Sequence, residues 1–413
     1  MRVLVLTSLY PPHALGGYEM SCADVTARFA GRGHEVTVLT TGTRLPGVTD
    51  VDEPGVHRRL RWYWDDHRLV SPSPSVRLDV ERHNRRVLAA MLDEVDPEVV
   101  SVWAMGAMSL GMIDLLNKAR VPVVYVVCDE WPVYGPRLDA WLAAFRRRRR
   151  RPVAAAVRAV TGLPTTLPRP RDATFCWLTR FIRDRCLDAT SWEPGHETIT
   201  YSGIDPADFP LAPPRRQKWR GRLLCVGRVE PRKGFAAAVE ALSLLPGATL
   251  RIVGPDNGSH TAELHALADR LGVADRLTFD RVPRSKLREE YAAADALLFT
   301  SAWDEPFGLV PVEAMACGTP VVAAATGGAK EFLVDGLNCL VVPSRDARAV
   351  AAAVDRLAGD GQLRARLVDG GTATAAGLSV DLLADIMERW HQAAADRFAD
   401  DEPPHRPAPG PAA

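Results

Sequence analysis

The 413-residue sequence has no excess of charge of either sign, since 51 Lys and Arg balance 51 Asp and Glu. That balance excludes a uniformly basic nucleic-acid binder and an acidic disordered chain. Long apolar runs are missing too, and nothing approaches the roughly 18–20 residues that cross a bilayer. The opening run Met1-Arg2-Val3-Leu4-Val5-Leu6-Thr7 stops at Pro11-Pro12. It is too short for the core of a signal peptide and no small-residue cleavage site follows, so it reads as a buried strand. The seven cysteines contain no CxxC pair. Neither a disulfide framework nor a zinc site is indicated, and reduced thiols in a cytoplasmic protein are expected. In that compartment the sequon Asn257-Gly258-Ser259 means little. A GxGxxG dinucleotide fingerprint and a Walker A loop are absent as well.

What remains is an ordinary globular composition, 47% hydrophobic and 25% charged. One core rarely grows to this size, so two domains of roughly 200 residues are expected. Val3–Thr7, Val36–Thr40, Val99–Trp103 and Val121–Cys128 are continuous apolar runs, as strands buried on both faces require. Amphipathic stretches at 18–32, 82–95 and 107–119 lie between them. The rhythm restarts at Arg222–Gly227 and continues through Thr249–Gly254, Leu277–Asp280, Ala296–Thr300, Pro320–Ala323 and Leu340–Val342. This pattern predicts an α/β protein with two Rossmann-like parallel-sheet domains facing a central cleft. Four prolines between 205 and 214 mark a hinge separating residues 1–204 from 215–377. A final helix over 378–398 places Leu382, Leu383, Ile386, Met387 and Trp390 on one face and is expected to cover the first domain. Residues 399–413 lack periodicity and read as a disordered tail.

Four stretches carry chemistry. The densest runs from Glu305 to Val322, with Glu305 in a loop after a strand and Glu313 inside the helix that opens near Gly308. A helix N-terminus offers free backbone N–H groups and positive dipole charge to a phosphate or a sugar hydroxyl. Val226-Gly227-Arg228-Val229-Glu230-Pro231-Arg232-Lys233-Gly234 is a strand-to-helix turn in which Arg228 and Lys233 can neutralise a diphosphate. Gly16-Gly17 permits close backbone approach before a helix, and Thr326-Gly327-Gly328 repeats that theme. Asp50-Val51-Asp52 spells an Asp-x-Asp metal motif, but it sits in a proline- and glycine-flanked loop and reads as a solvated loop.

In this order the four stretches resemble the retaining glycosyltransferases of family four, which have the GT-B fold. The resemblance covers residues 1 to about 345. It implies transfer of a sugar from a nucleotide-sugar donor, UDP- or GDP-linked, to an acceptor with retention of configuration, with no metal or other cofactor. By the resemblance, Arg228 and Lys233 bind the donor diphosphate, Glu313 takes the ribose hydroxyls and Glu305 contacts the donor sugar. Phe307, Gly308 and Leu309 face sugar and phosphate, Gly16 and Gly17 meet the diphosphate from the other domain, and the base lies near Val282. Two positions depart from the family. Cys128 stands where a histidine that contacts the donor sugar is often found, so Asp129 or Glu130 is a candidate to take over. Asp280-Arg281 replaces a common glycine. Catalytic candidates are therefore Glu305, Arg228, Lys233 and Asp129. Cys128, Glu130, Trp131 and Tyr134 are candidates for the acceptor side, as is the aromatic run Trp62-Tyr63-Trp64; for the aromatic side chains, packing in the core is the other reading. Two rival readings are a catalytically weakened nucleotide-sugar-binding accessory protein, favoured by Cys128, and a nucleotide-sugar epimerase.

The zero net charge hides an imbalance. Residues 137–185 hold thirteen Arg against three Asp. Leu138, Trp141, Leu142 and Phe145 predict one apolar helical face ahead of Arg146, Arg147, Arg148, Arg149, Arg150 and Arg151. Three readings stand side by side: a solvated helix end, docking on an anionic membrane surface, or capture of an anionic acceptor.

Overall fold

Strands buried on both faces need apolar side chains on both sides, and the structure builds two parallel sheets from such runs. The computed structural model describes residues 1–401, apart from 66, 67, 70, 71, 148, 149, 214–217 and 257. The expectations placed on the sequon residue Asn257, on Arg148 and Arg149, and on most of the 399–413 tail lie outside the described residues. The chain divides into two units. The first comprises 1–178, 182–200 and 384 onward; the second comprises 179–181 and 201–383.

In the first unit the chain runs β1 (Arg2–Leu6), α1 (Gly17–Gly31), β2 (Glu35–Thr41) and β3 (Val56–Leu60). A short antiparallel ribbon, β4 (Trp64–Asp65) and β5 (Arg68–Leu69), leads to α2 (Pro74–Val95). Then come β6 (Val99–Val102), α3 (Met112–Leu116), β7 (Val123–Val127), α4 (Trp131–Leu138), α5 (Ala140–Ala143) and α6 (Arg151–Thr161). The series closes with β8 (Thr174–Trp177), α7 (Arg180–Ala189) and β9 (His196–Ile199). The seven main strands are ordered β3-β2-β1-β6-β7-β8-β9, all parallel. The order reverses between β1 and β6, so the loops after these two strands flank a topological switch point, where α/β sheets bind ligands.

Two helical expectations are corrected. The 107–119 stretch is mostly turn, with only α3 helical, because Ala107 takes a left-handed φ of 58° and Gly111 begins the short helix. The single face through Leu138 and Phe145 is split between α4 and α5. Pro136 lies inside α4, and Asp139 leaves helical geometry at ψ 106° to cap α5 through Trp141 N and Leu142 N. The earlier start of α2 also has a local cause: Ser73 caps it by accepting from Val76 N, and Pro74 sits where its missing N–H costs nothing.

The second unit repeats the plan with β10 (Arg222–Val226), α8 (Phe235–Ser243), β11 (Thr249–Val253), α9 (Ser259–Leu271) and β12 (Leu277–Asp280). It continues with α10 (Arg284–Ala293), β13 (Ala296–Phe299), α11 (Leu309–Ala316), β14 (Val321–Ala323) and β15 (Leu340–Val341). After α12 (Ala347–Gly359) and α13 (Gly361–Ala376) comes α14 (Val380–Asp401). Strand order is β12-β11-β10-β13-β14-β15, again parallel. Its switch point falls between β10 and β13, at the loops that carry Arg228, Lys233 and Glu305. Two segments before β10 tie into this unit. Ile204 bridges to Ser379, and Phe209 is buried while Ala212 N donates to Ala316 O. No helix among the described residues is long and apolar enough to cross a membrane.

Candidate functional site

Close backbone approach shapes the second unit's switch point. Gly234, at φ 67°, ends the short turn Pro231–Lys233, and a Cβ there would lie 2.0 Å from Thr300 O. Gly328 meets Pro306 O in the same way, and its N donates to Glu305 O at 2.7 Å. Only glycine lets these loops touch.

The touching loops converge on one carboxylate. Glu305 is buried and its Oε1 accepts from Lys233 Nζ at 2.7 Å and from Ser301 Oγ at 2.9 Å. Arg232 donates to Glu230 at 2.6 Å and lays its guanidinium 4.5 Å from the Trp303 ring centroid, with Lys233 Nζ at 5.9 Å from the same ring. Arg228 is half-exposed, 3.7 Å from Glu230. The backbone then turns through Gly308, at φ 100°, into α11, with Leu309 as its first residue. Phe307 is buried, stacked near Tyr201 and against Phe332, so its ring belongs to the core and only its backbone can face a ligand.

Glu313 sits apart from this cluster. Its Oε2 accepts from Tyr291 OH at 2.7 Å and its Oε1 from Arg284 Nη1 at 3.1 Å. Burial, then the adjacent Glu313 carboxylate, pushes the Tyr291 phenol well above its ordinary value, which keeps it a donor. Val282 stands in the loop between β12 and α10, two residues before Arg284.

In the first unit, Gly16 and Gly17 are exposed at the start of α1, with Gly16 N donating to Glu19 Oε2 at 2.9 Å. Behind them His13, fully buried, accepts from Leu45 N on Nδ1, which leaves Nε2 to donate to Asp50 at 2.6 Å. Asp50 also takes Arg44 at 2.6 Å, and the hydrogen bond from His13, then that from Arg44, holds its carboxyl below the usual range. Asp50 is thus an exposed loop residue, as its reading as a solvated loop has it, and its carboxylate is paired with His13 and Arg44.

After β7, burial pushes the Cys128 thiol well above its ordinary value, so a thiolate there is disfavoured. Asp129 accepts from Tyr134 OH at 2.7 Å and from Trp131 N at 2.9 Å, yet burial outweighs these bonds and raises its pKa to about 6. Glu130 is held by Arg185 through two contacts of 3.0 and 3.2 Å. The expectation that Trp131 faces an acceptor is corrected: it is fully buried, edge-on to Trp192. Tyr63 is likewise in the core, its OH donating to Glu81 at 3.0 Å, while Trp62 Nε1 donates to Gly106 O.

Of the predicted donor residues, then, the fold joins Lys233 to Glu305 and leaves Glu313 with partners that spacing alone does not identify. Arg284 and Tyr291, seven apart on α10, carried a usable signal: they follow directly on the loop expected to meet the base. Trp303 and Ser301 lie beside Glu305 in sequence and could have been read from that proximity. Arg146, Arg147 and Arg150 are exposed between α5 and α6. On α6 itself Val153 and Val160 are exposed by 56% and 85%.

Comparisons with known proteins bear on this geometry. The family described as Glycosyl transferases group 1 matches residues 213–374, and the Glycosyl transferase 4-like domain matches residues 16–166. D-inositol 3-phosphate glycosyltransferase of Frankia alni is 35% identical over 214 residues, 47% of this chain and 52% of that protein. The enzyme of that name from Acidothermus cellulolyticus is 40% identical over 208 residues, 46% of each chain. The match thus spans about half the length of these curated relatives. Among solved structures, sucrose-phosphate synthase from Thermosynechococcus elongatus is similar with a TM-score of 0.69 at 21% identity, covering 97% of this chain and 99% of that one. Anabaena HepE in complex with UDP gives 0.66 at 20% identity, over 95% and 100%. At such identities the likeness is one of fold. The chain belongs to the group 1 glycosyltransferases, carries a glycosyl transferase 4-like domain in its first half, and has the GT-B fold.

Proposed function

We propose that the protein transfers a sugar from a nucleoside-diphosphate sugar to a hydroxyl-bearing acceptor, with retention of configuration and without a metal. The observation that carries this reading is the Lys233–Glu305–Ser301 cluster at the sheet's switch point, beside the partly buried turn into α11. Lys233 and Arg228 supply positive charge for the diphosphate, and the N-terminus of α11 adds its N–H groups. Glu305 contacts the donor sugar, Glu313 the ribose hydroxyls, and the loop at Val282 the base. In the first unit, the exposed Gly17 amide at the start of α1 is a candidate donor to a phosphate oxygen. In the transfer, the bond from the anomeric carbon to the β-phosphate oxygen breaks and the acceptor oxygen bonds to that carbon on the same face. The acceptor proton passes to the departing phosphate oxygen, so no protein nucleophile is consumed. Asp129, with a pKa raised to about 6, and Glu130 and Tyr134 are the acceptor-side candidates.

UDP is favoured as the first donor nucleotide to try because the HepE structure holds UDP. The test is calorimetry of UDP and GDP against the wild type, Lys233→Ala and Glu313→Ala. Each variant is expected to bind the preferred nucleotide at least ~10-fold more weakly, and unchanged affinity in both sinks the assignment. Turnover of the donor with no acceptor present identifies an epimerase instead. We also propose an anionic membrane surface as partner of the first unit. Exposed Val153 and Val160 support it, as does a groove of about 940 Å³ lined by Leu142, Phe145, Ala155, Ala159, Arg146 and Arg158.

A further inference from the structure

We infer that Arg284 is a positioning residue that presets Glu313 for the donor ribose, so that discrimination between ribose and its deoxy forms depends on it. The inference rests on the proposed nucleotide-sugar reading. A buried carboxylate must find donors, and Glu313, 3% exposed, has two that arrive from one helix. Tyr291 OH takes Oε2 at 2.7 Å and Arg284 Nη1 takes Oε1 at 3.1 Å. One bond to each oxygen fixes the plane of the carboxylate, while each oxygen keeps a further acceptor site. Two adjacent acceptors in a fixed plane suit a vicinal diol, and a ribose presents one.

The donors are themselves held. Tyr291 is fully buried, and its carbonyl accepts from Thr319 Oγ1 at 2.7 Å. Arg284 Nε reaches Asp208 Oδ2 at 3.4 Å, and its guanidinium carbon lies 5.3 Å from the Phe209 ring centroid. Phe209 in turn packs edge-on against Tyr291, with centroids 6.1 Å apart. The segment before β10 thus braces the arginine that braces Glu313. Arg284 is about one-third exposed, so as a plain ion pair it contributes little; its weight lies in orientation.

The experiment compares binding of UDP and GDP with their 2′,3′-dideoxy counterparts by calorimetry, in the wild type, Glu313→Ala and Arg284→Met. The wild type is expected to prefer the ribose form by at least on the order of 10²-fold, the lower end of what two hydrogen bonds to a charged group supply. Glu313→Ala is expected to lose that preference. Arg284→Met is expected to shrink it roughly 10-fold while binding the dideoxy form within about 2-fold of wild type. A merely structural role would weaken both forms alike. Retention of the full wild-type preference in Arg284→Met overturns the inference. A wild type that binds neither nucleotide, or binds with no ribose preference, overturns the functional reading itself, a different result. Should Arg284→Met fail to fold, Arg284→Lys and Asp208→Asn carry the test. Asp208→Asn touches only the brace and is expected to shift the preference in the same direction by less.

Discussion

At the scale of single residues, the candidate donor site is governed by where a Cβ cannot go. Gly234 combines φ 67° with a virtual Cβ 2.0 Å from Thr300 O, backbone against backbone, so neither partner can swing away. Gly234→Ala is expected to destabilise the protein by roughly 1–3 kcal/mol, the usual range for forced overpacking. It is also expected to weaken nucleotide binding, because Lys233 is the preceding residue. Urea denaturation and calorimetry measure the two effects separately; an alanine variant with wild-type values in both shows that the loop yields freely. Ionic residues were only half legible at this scale. Glu305, Lys233 and Arg228 stand in a recognisable loop chemistry. The tie from Arg284 to Glu313 spans 29 residues and exists only because α10 and α11 pack together. Asp50 is the converse case, for its spelling draws attention to metal chemistry while its partners, His13 and Arg44, sit on either side of β2 in the chain.

At the scale of elements, α14 shows how a helix is seated by a neutral histidine. Trp103 Nε1 donates to Ser101 Oγ at 3.1 Å, which turns the hydroxyl hydrogen toward His391 Nε2 at 2.8 Å. His391 Nδ1 must then donate to Met387 O at 2.6 Å, so the ring is uncharged with its proton on Nδ1. Burial lowers the His391 pKa from 6.5 to about 4. The folded value lies below the unfolded one, so the unfolded chain binds more protons between about pH 4 and 6.5. Stability contributed by neutral His391 is therefore present above pH 6.5 and lost as pH falls toward 4, at a slope of at most ~1.4 kcal/mol per pH unit. Asp129, raised by burial to about 6, acts with the opposite sign in an overlapping window. The expected result is thus a difference: on going from pH 7 to 5, the wild type loses more stability than His391→Gln. Equal losses contradict the seating described. Arg32, bonded to Asp385 and Glu388, adds two surface pairs to the same helix and is expected to matter less.

Elements were legible in proportion to how apolar they are. The central strands β1, β6, β7, β10 and β13 are near-continuous apolar runs and stand out. The edge strands β3, Val-His-Arg-Arg-Leu, and β9, His-Glu-Thr-Ile, face water on one side and offer no such run. The split of α4 from α5 turned on Pro136 and on Asp139 preferring to cap rather than continue, a local conflict that a single apolar face conceals.

At the scale of the whole molecule, neutrality is an average. The first unit carries the arginine-rich stretch between α5 and α6, beside a helix whose Val153 and Val160 are exposed. Basic residues next to exposed apolar ones suit an anionic bilayer better than a soluble polyanion. Flotation with vesicles of anionic phospholipid is expected to carry the protein at low salt, with the bound fraction falling as salt rises. Val160→Asp is expected to reduce it without changing the melting temperature. No association at low salt, or equal association with neutral vesicles, argues against this partner.

The first unit takes its residues from both sides of the second in chain order, with 384 onward following 201–383. On a ribosome adding roughly 5–20 residues per second, the first sheet is complete about ten to forty seconds before the helix bearing His391 is made. During that interval Ser101 and Phe29 wait without the ring that later packs on them. The seven strands therefore have to be kept from other partners while the entire second sheet is being synthesised.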